Sequence, residues 1–245
     1  MKIQLQRRDI KLLEFVFRFK AVTFKQLEKY FFDRDSSTVS KRLTKLRKCG
    51  LISVTGKAPH LNSSMIFGLT KQGFKQLMIL NPHAFLVERF KSNSPFHDVT
   101  LVEIEKLISS KMNVEFYWPE NIIQSSRFFA EDDSLSYFRE FGFDGLIKYK
   151  TETNGSFLFG LEYENSQKGL ECYKSKLKKI YSQSRPQAVL YICKTKQIEN
   201  ALKKAESEIA TNQNKRLYFI QYDELIKGEK TLAFENQDSK KIVIK

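Results

Sequence analysis

SSTVSKRLTKLRKCGLISV, residues 36–54, decides how the first third of the chain is read. Within it Val39, Leu43 and Leu46 recur at i, i+4 and i+7, the spacing of one buried helix face. The remaining Thr38, Ser40, Lys41, Arg42, Thr44, Lys45 and Lys48 then face solvent. Ser36 or Ser37 is placed to cap the helix and Gly50 to end it, and Leu51-Ile-Ser-Val54 behind the glycine reads as a strand. A helix side made of hydroxyl and cationic groups suits a DNA groove. Ser37, Thr38, Lys41, Arg42, Lys45 and Lys48 are the expected contacts.

Upstream, Ile10, Leu12, Leu13, Val16, Phe17 and Phe19 set a first helix within residues 5–19. Thr23 caps a second, whose Phe24, Leu27, Tyr30 and Phe31 share one face. Downstream, a polar loop at residues 56–64 leads to a returning strand, Met65 to Leu69, and Thr70 caps a helix carrying Phe74, Leu77 and Leu80. Three helices, a hairpin and a helix resemble a winged helix-turn-helix, in which the run Leu69-Thr-Lys-Gln-Gly73 is often seen.

The chain has 245 residues, enough for two domains, with 42 Lys and Arg against 28 Asp and Glu, a net charge of +14. Residues 1–90 hold 18 basic and 6 acidic side chains, and the remainder 24 and 22. A polyanion is the partner such a surface meets, and the imbalance lies where the helix pattern expects duplex DNA. Cys49, Cys172 and Cys193 have neither zinc spacing nor the even number of a disulfide framework, which fits reduced thiols. There is no apolar leader at the start and no run of 18 apolar residues, so a cytoplasmic protein without membrane insertion is expected.

Asn81-Pro82 and the polar stretch Lys91 to Pro95 break the pattern, dividing the chain into a DNA-binding domain, residues 1–90, and a second domain, residues 91–245. The second domain reads as a helix at 97–110, a strand at 114–118, an extended stretch at 122–129 and strands at 143–149 and 157–163. A helix at 166–182, a strand at 188–193, a helix at 197–210 and a final strand at 216–221 follow. This order predicts an α/β fold.

Asp144 enters one of these strands, and Glu162 and Glu164 sit two apart at the end of the next, hence on one face. Same-side carboxylates repel unless a cation lies between them, and hard oxygen ligands select Mg²⁺ or Mn²⁺. Lys168, four residues beyond Glu164, is within reach of the same place and suited to stabilising a phosphate. A solvated strand end and an ordinary surface lysine at the head of the Lys174, Lys176, Lys178 and Lys179 helix are the bland alternatives.

The order αβββαβ with an Asp on the second core strand and an acidic pair on the third resembles the restriction-endonuclease-like PD-(D/E)xK superfamily. More narrowly, His97-Asp98 at a helix start, Asp144-Gly-Leu-Ile147, and Glu162-Tyr-Glu-Asn-Ser-Gln-Lys168 followed by Tyr173 and Tyr181 resemble the MOBC class of plasmid mobilisation relaxases. The resemblance spans residues 5 to 195. It implies a divalent metal held by Asp144, Glu162 and Glu164, and catalytic roles for these with Lys168, His97 and Asp98. It also implies strand-specific nicking at a plasmid transfer origin, with an accessory mobilisation or coupling protein as a further partner.

Two positions depart from the pattern. Phe143 stands where the superfamily often has Pro, and Glu164 where it has Lys, which makes Lys168 a candidate migrated replacement. Asp98 and Ser94 also suit plain helix capping, Glu103 and Glu105 offer other acidic ligands on that helix, and Tyr163 points to the opposite face. The attacking group, water or a tyrosine such as Tyr173 or Tyr181, is left open. The competing reading is a non-catalytic winged-helix factor with a degenerate nuclease fold, acting in plasmid replication, mobilisation or transcription regulation. A partner-docking adaptor is the third.

Overall fold

Thr23, Gly50 and Thr70 punctuate the N-terminal elements in the computed structural model, which describes residues 4–32, 36–58, 64–80, 89–111, 114–132, 135–150, 155–211, 213–227 and 232–244. Residues 59–63 of the expected hairpin loop and 81–88 of the expected boundary lie outside them. The chain forms two units, Met1–Glu103 with Asn121–Ser136, and Ile104–Glu120 with Tyr137–Lys245. Its class is mixed α/β.

In the first unit α1 (Arg7–Phe19) buries Leu12, Leu13, Val16, Phe17 and Phe19. After the short strand β1 (Val22–Thr23), Thr23 Oγ1 accepts from the Gln26 amide at 3.2 Å and its own amide donates to Gln26 Oε1 at 2.9 Å. That reciprocal cap starts α2 (Phe24–Phe31). Helix α3 (Ser36–Lys48) buries Val39, Leu43 and Leu46 as their spacing predicts, and ends at Gly50, whose φ of +68° favours glycine. Strands β2 (Ile52–Ala58) and β3 (Ser64–Leu69) pair antiparallel from Ile52↔Leu69. β1 adds to β3, giving the order β1-β3-β2, a third strand too short to carry a periodic signal.

Thr70 Oγ1 accepts from the Gly73 amide at 3.0 Å to begin α4 (Lys71–Leu80). A Cβ on Gly73 would lie 2.1 Å from the Leu51 carbonyl oxygen, so this turn packs on the start of β2 only with glycine there.

Helix α5 (Pro95–Lys111) begins in the first unit and continues into the second. The expected division between residues 90 and 91 comes earlier than this one. Val99 joins Ala21 and Ile66 in a buried cluster, and Gln26 Nε2 donates to the Val99 carbonyl at 2.9 Å and to Glu103 Oε1 at 2.8 Å. Strand β4 (Val114–Pro119) follows. The expected extended stretch 122–129 is instead helical, as α6 (Glu120–Ser125) and α7 (Arg127–Glu131). Asn121 Nδ2 donates to the Phe17 carbonyl of α1 at 2.6 Å and Ser126 Oγ caps α7 through the Phe128 amide, so one long-range and one local polar bond hold these helical turns.

The second unit continues with α8 (Phe138–Phe141), β5 (Gly145–Lys150), β6 (Ser156–Glu164), α9 (Leu170–Tyr181), β7 (Ala188–Cys193), α10 (Lys196–Ile209), β8 (Leu217–Gln221), α11 (Tyr222–Lys227), β9 (Leu232–Glu235) and β10 (Lys241–Ile244). Its seven strands form one sheet in the order β10-β9-β8-β7-β6-β5-β4. β6, β7 and β8 run parallel, and the outer pairs antiparallel. Parallel neighbours need a crossover, and α9 and α10 supply them. The last strand expected from the sequence is 216–221, whereas β9 and β10 add two short strands beyond it, turned by Asn236, whose Oδ1 accepts from the Asp238 and Lys240 amides. No helix among the described residues is long and apolar enough to cross a membrane.

Candidate functional site

The second unit brings Asp144, Glu162 and Glu164 together at one end of β5 and β6. Gly145 is the last residue of β5 to pair, opposite Leu161. Beyond it the Asp144 carboxylate takes over, its Oδ2 accepting from the Tyr163 amide at 2.7 Å. Strand alternation then sets Glu162 and Glu164 on one face, each 3 % exposed, beside Tyr191 and Cys193 of β7. Tyr163 lies on the opposite face, as expected, and is buried against the Tyr222 ring.

Two ammonium groups enter the cluster. Lys168 Nζ donates to Glu164 Oε1 at 2.7 Å. Residues 166–169, expected as the first turn of a 166–182 helix, are not helical, because Gly169 takes the extended N-cap conformation and α9 starts only at Leu170. Lys168 thus meets Glu164 from a loop rather than across a helical turn. The second cation is Lys176, from α9, which the sequence reading groups with ordinary surface lysines. Its Nζ donates to Glu162 Oε1 at 2.6 Å and to the Gly142 carbonyl at 3.4 Å, and lies 5.7 Å from the centre of the Phe143 ring. Lys176 is three residues beyond Tyr173 and four before Ile180, so helical phase sets it at the flank of the buried face of α9, half-buried and within reach of the sheet margin.

Burial pushes the Glu162 carboxyl up to about 8, with Lys176 opposing and the charges of Asp144 and Glu164 adding to the rise. Burial works to lower the Lys168 ammonium, but the hydrogen bond and charge of Glu164 outweigh it and raise its pKa.

Among the described residues no group of three or more His, Cys, Asp or Glu side chains is disposed to hold a metal ion. Glu164, the expected third ligand, is turned to Lys168. The pair Asp144 and Glu162 still fits the oxygen chemistry of Mg²⁺, which commonly takes one or two carboxylates and fills its shell with water and substrate phosphate.

His97 and Asp98 lie in the first unit. Asp98 is 5 % exposed, its Oδ1 is 3.7 Å from both Lys20 Nζ and His97 Nδ1, and its amide donates to the Ser94 carbonyl at 3.1 Å. Its Oδ2 is buried without a hydrogen-bond partner among the described residues. Glu103 accepts from Gln26 and from the Tyr30 hydroxyl, a structural use of that carboxylate. Of the two tyrosines, Tyr173 accepts from the Lys168 amide at 3.1 Å and so pins the loop that carries Lys168. Tyr181 donates instead to Glu206 Oε1, a fully buried carboxylate that also accepts from the Arg216 and Leu217 amides and from Gln237.

On α3, Ser37, Ser40, Lys41, Thr44, Lys45, Arg47 and Lys48 are exposed and Thr38 is half-buried. Arg47 is a cation the expected set omits. Arg42 departs from that set: its Nε donates to Asp9 Oδ1 at 2.8 Å and its Nη2 pairs with Asp9 Oδ2, the carboxylate being fully buried. The Asp9 hydrogen bond raises the already high pKa of this guanidinium. Arg42 therefore faces the start of α1, where Asp9 also accepts from the Gln6 amide at 2.7 Å, and not the solvent side.

No family model, no curated protein and no solved structure matches the chain.

Proposed function

We propose that the protein is a divalent-metal-dependent, strand-specific DNA nickase of the relaxase kind, acting at a plasmid transfer origin. In this reading α2, α3 and the β2–β3 hairpin form a winged helix that docks on duplex DNA. The β4-to-β7 region with α5 and α9 is a PD-(D/E)xK-like nuclease domain. The single observation that carries the proposal is the cluster of buried Glu162 and Glu164 and half-buried Asp144 with two lysines at a strand end. A structural protein has little reason to place three carboxylates there.

Asp144 and Glu162 are the residues that hold the cation. Bound there, Mg²⁺ or Mn²⁺ supplies an activated water and charge stabilisation at the scissile phosphate. Glu164 keeps Lys168 near the reacting phosphate, and Lys168, 46 % exposed at its side chain, exchanges that carboxylate for a phosphate oxygen. Lys176 holds Glu162 in place. An accessory mobilisation or coupling protein belongs to this reading as the partner that takes the nicked plasmid onward.

The test is relaxation of supercoiled plasmid carrying the cognate origin, with and without Mn²⁺ or Mg²⁺; a nicked product that requires the metal is expected. Lys168→Ala and Lys176→Met are each expected to reduce nicking by about tenfold or more at unchanged duplex affinity. A variant that nicks fully removes its lysine from the reaction. On the binding side, replacing Lys41, Lys45 and Lys48 with Ala is expected to flatten log affinity against log salt by about 2 to 3, roughly one unit per lost phosphate contact. An unchanged slope moves the interface off α3. The specific observation favouring a non-catalytic DNA-binding factor is that Glu162 and Glu164 are each engaged by a lysine. Metal-independent duplex binding without any nicking is its signature.

A further inference from the structure

The sheet face that carries Glu162 and Glu164 extends across two more strands to the edge strand β4, and there it presents aromatic rings. Phe116 pairs with Lys148 and Trp118 with Leu146 across β4 and β5, and Lys148 and Leu146 pair in turn with Leu158 and Gly160 of β6. Directly paired residues share a face, so Phe116 and Trp118 stand on the side of Glu162. Strand spacings of about 4.8 Å and a rise of about 3.4 Å per residue put the Trp118 position about 12 Å from that of Glu162. The Phe143 ring lies against Gly160 between them.

The two rings are stacked on each other, centroids 5.2 Å apart and planes 13° from parallel. Phe116 is 49 % exposed, although a lone core-forming strand would bury it. Lys148 Nζ sits 5.7 Å from the Phe116 ring centre, and Lys150, the next residue on that face, is exposed. Lys148 also meets Glu115 at 3.0 Å, both side chains being about a third exposed. Such a surface pair is worth little, and a phosphate displaces the carboxylate at small cost. The exposed Phe116 ring, stacked parallel on a half-buried Trp118 and flanked by lysines, suits flat, stackable bases on an anionic backbone, and matches neither an aliphatic helix face nor a lipid surface.

We propose that Phe116 and Trp118, with Lys148 and Lys150, form a stacking platform for the unpaired bases of single-stranded DNA. Base stacking on the rings supplies sequence-tolerant affinity and the lysines track the backbone. The platform thereby holds an opened strand on the face that carries the carboxylates. Its link to strand cleavage rests on the nickase reading; the binding itself does not.

Trp118 is the sole tryptophan of the chain, so its emission reports ring stacking at this place. The experiment titrates the full-length protein with a twelve-nucleotide oligo(dT) and with a hairpin duplex, following tryptophan fluorescence. A labelled oligonucleotide gives anisotropy in parallel. Saturable quenching by oligo(dT) and none by the duplex is expected. Phe116→Ala weakens oligo(dT) binding by about tenfold, Phe116→Tyr keeps it, and Lys148→Ala flattens its salt dependence. Absence of quenching, equal quenching by the duplex, or unchanged oligo(dT) affinity in both Phe116→Ala and Lys148→Ala overturns the platform. Glu162→Gln, carried alongside, keeps the quenching whether or not it nicks. Nicking without quenching by the wild-type protein removes the platform alone, and quenching without nicking removes the nickase reading alone.

Discussion

Glu162→Gln is expected to lower metal-dependent nicking of supercoiled cognate plasmid by about 100-fold or more while duplex affinity stays as in the wild type. The substitution keeps the shape of the side chain and a hydrogen-bond acceptor for Lys176, and removes the charge that a divalent cation needs. Burial already pushes the Glu162 carboxyl up to about 8, so a neutral group at this position suits its surroundings and the fold should persist. Loss of stability is therefore not the expected cause of lost activity, and a denaturation midpoint within error of the wild type is the control. Calorimetry with Mn²⁺ should show weakened binding in the same variant. Full nicking by Glu162→Gln ends the case for a metal held by Asp144 and Glu162.

Arg42→Ala is expected to destabilise the first unit by about 3 kcal/mol, read from urea or thermal unfolding. Removing the guanidinium leaves the Asp9 carboxylate fully buried with only the Gln6 amide among the partners described above. The cost belongs at the low end for a broken buried pair because the Arg42 side chain itself retains 15 % exposure. Lys41→Ala and Lys45→Ala, on the exposed side of the same helix, should change stability by less than about 0.5 kcal/mol and weaken DNA binding instead. The two classes of variant thus separate what the helix does for the fold from what it does for a ligand. An Arg42→Ala protein of native stability with a flattened salt slope would return Arg42 to the DNA face.

The contrast between Arg42 and its neighbours illustrates how far a linear reading reaches. Val39, Leu43 and Leu46 mark the buried side of α3 by their spacing, and position 42 then lies beside that stripe. Whether a flanking arginine points to water or to a buried acid depends on Asp9, 33 residues earlier and on another helix. The candidate site divides in the same way. Alternation along β6 puts Glu162 and Glu164 on one face without any tertiary information, and Lys168 was visible through its nearness in sequence. Lys176 was not, because its role comes from the way α9 lies on the sheet, fourteen residues beyond Glu162.

Residue order was thus sufficient for the elements with a strong local period or a capping side chain: α2 behind Thr23, α3 up to Gly50, α4 behind Thr70, and the apolar strand β7. In the three helices the deciding interactions lie within a few residues of one another, and in β7 an unbroken apolar run marks a strand buried on both faces before its partners β6 and β8 are known. The short pieces went otherwise. Residues 122–129 carry enough apolar side chains for a strand, yet the Asn121 bond to the Phe17 carbonyl and the Ser126 cap make them helical. β9 and β10 exist through pairing with each other and with β8. The partners of Asp9, Glu162 and Asp144 were likewise decided only when distant segments met, because a buried charge takes whichever donor the packing brings within hydrogen-bond reach, and no period in the chain records that choice.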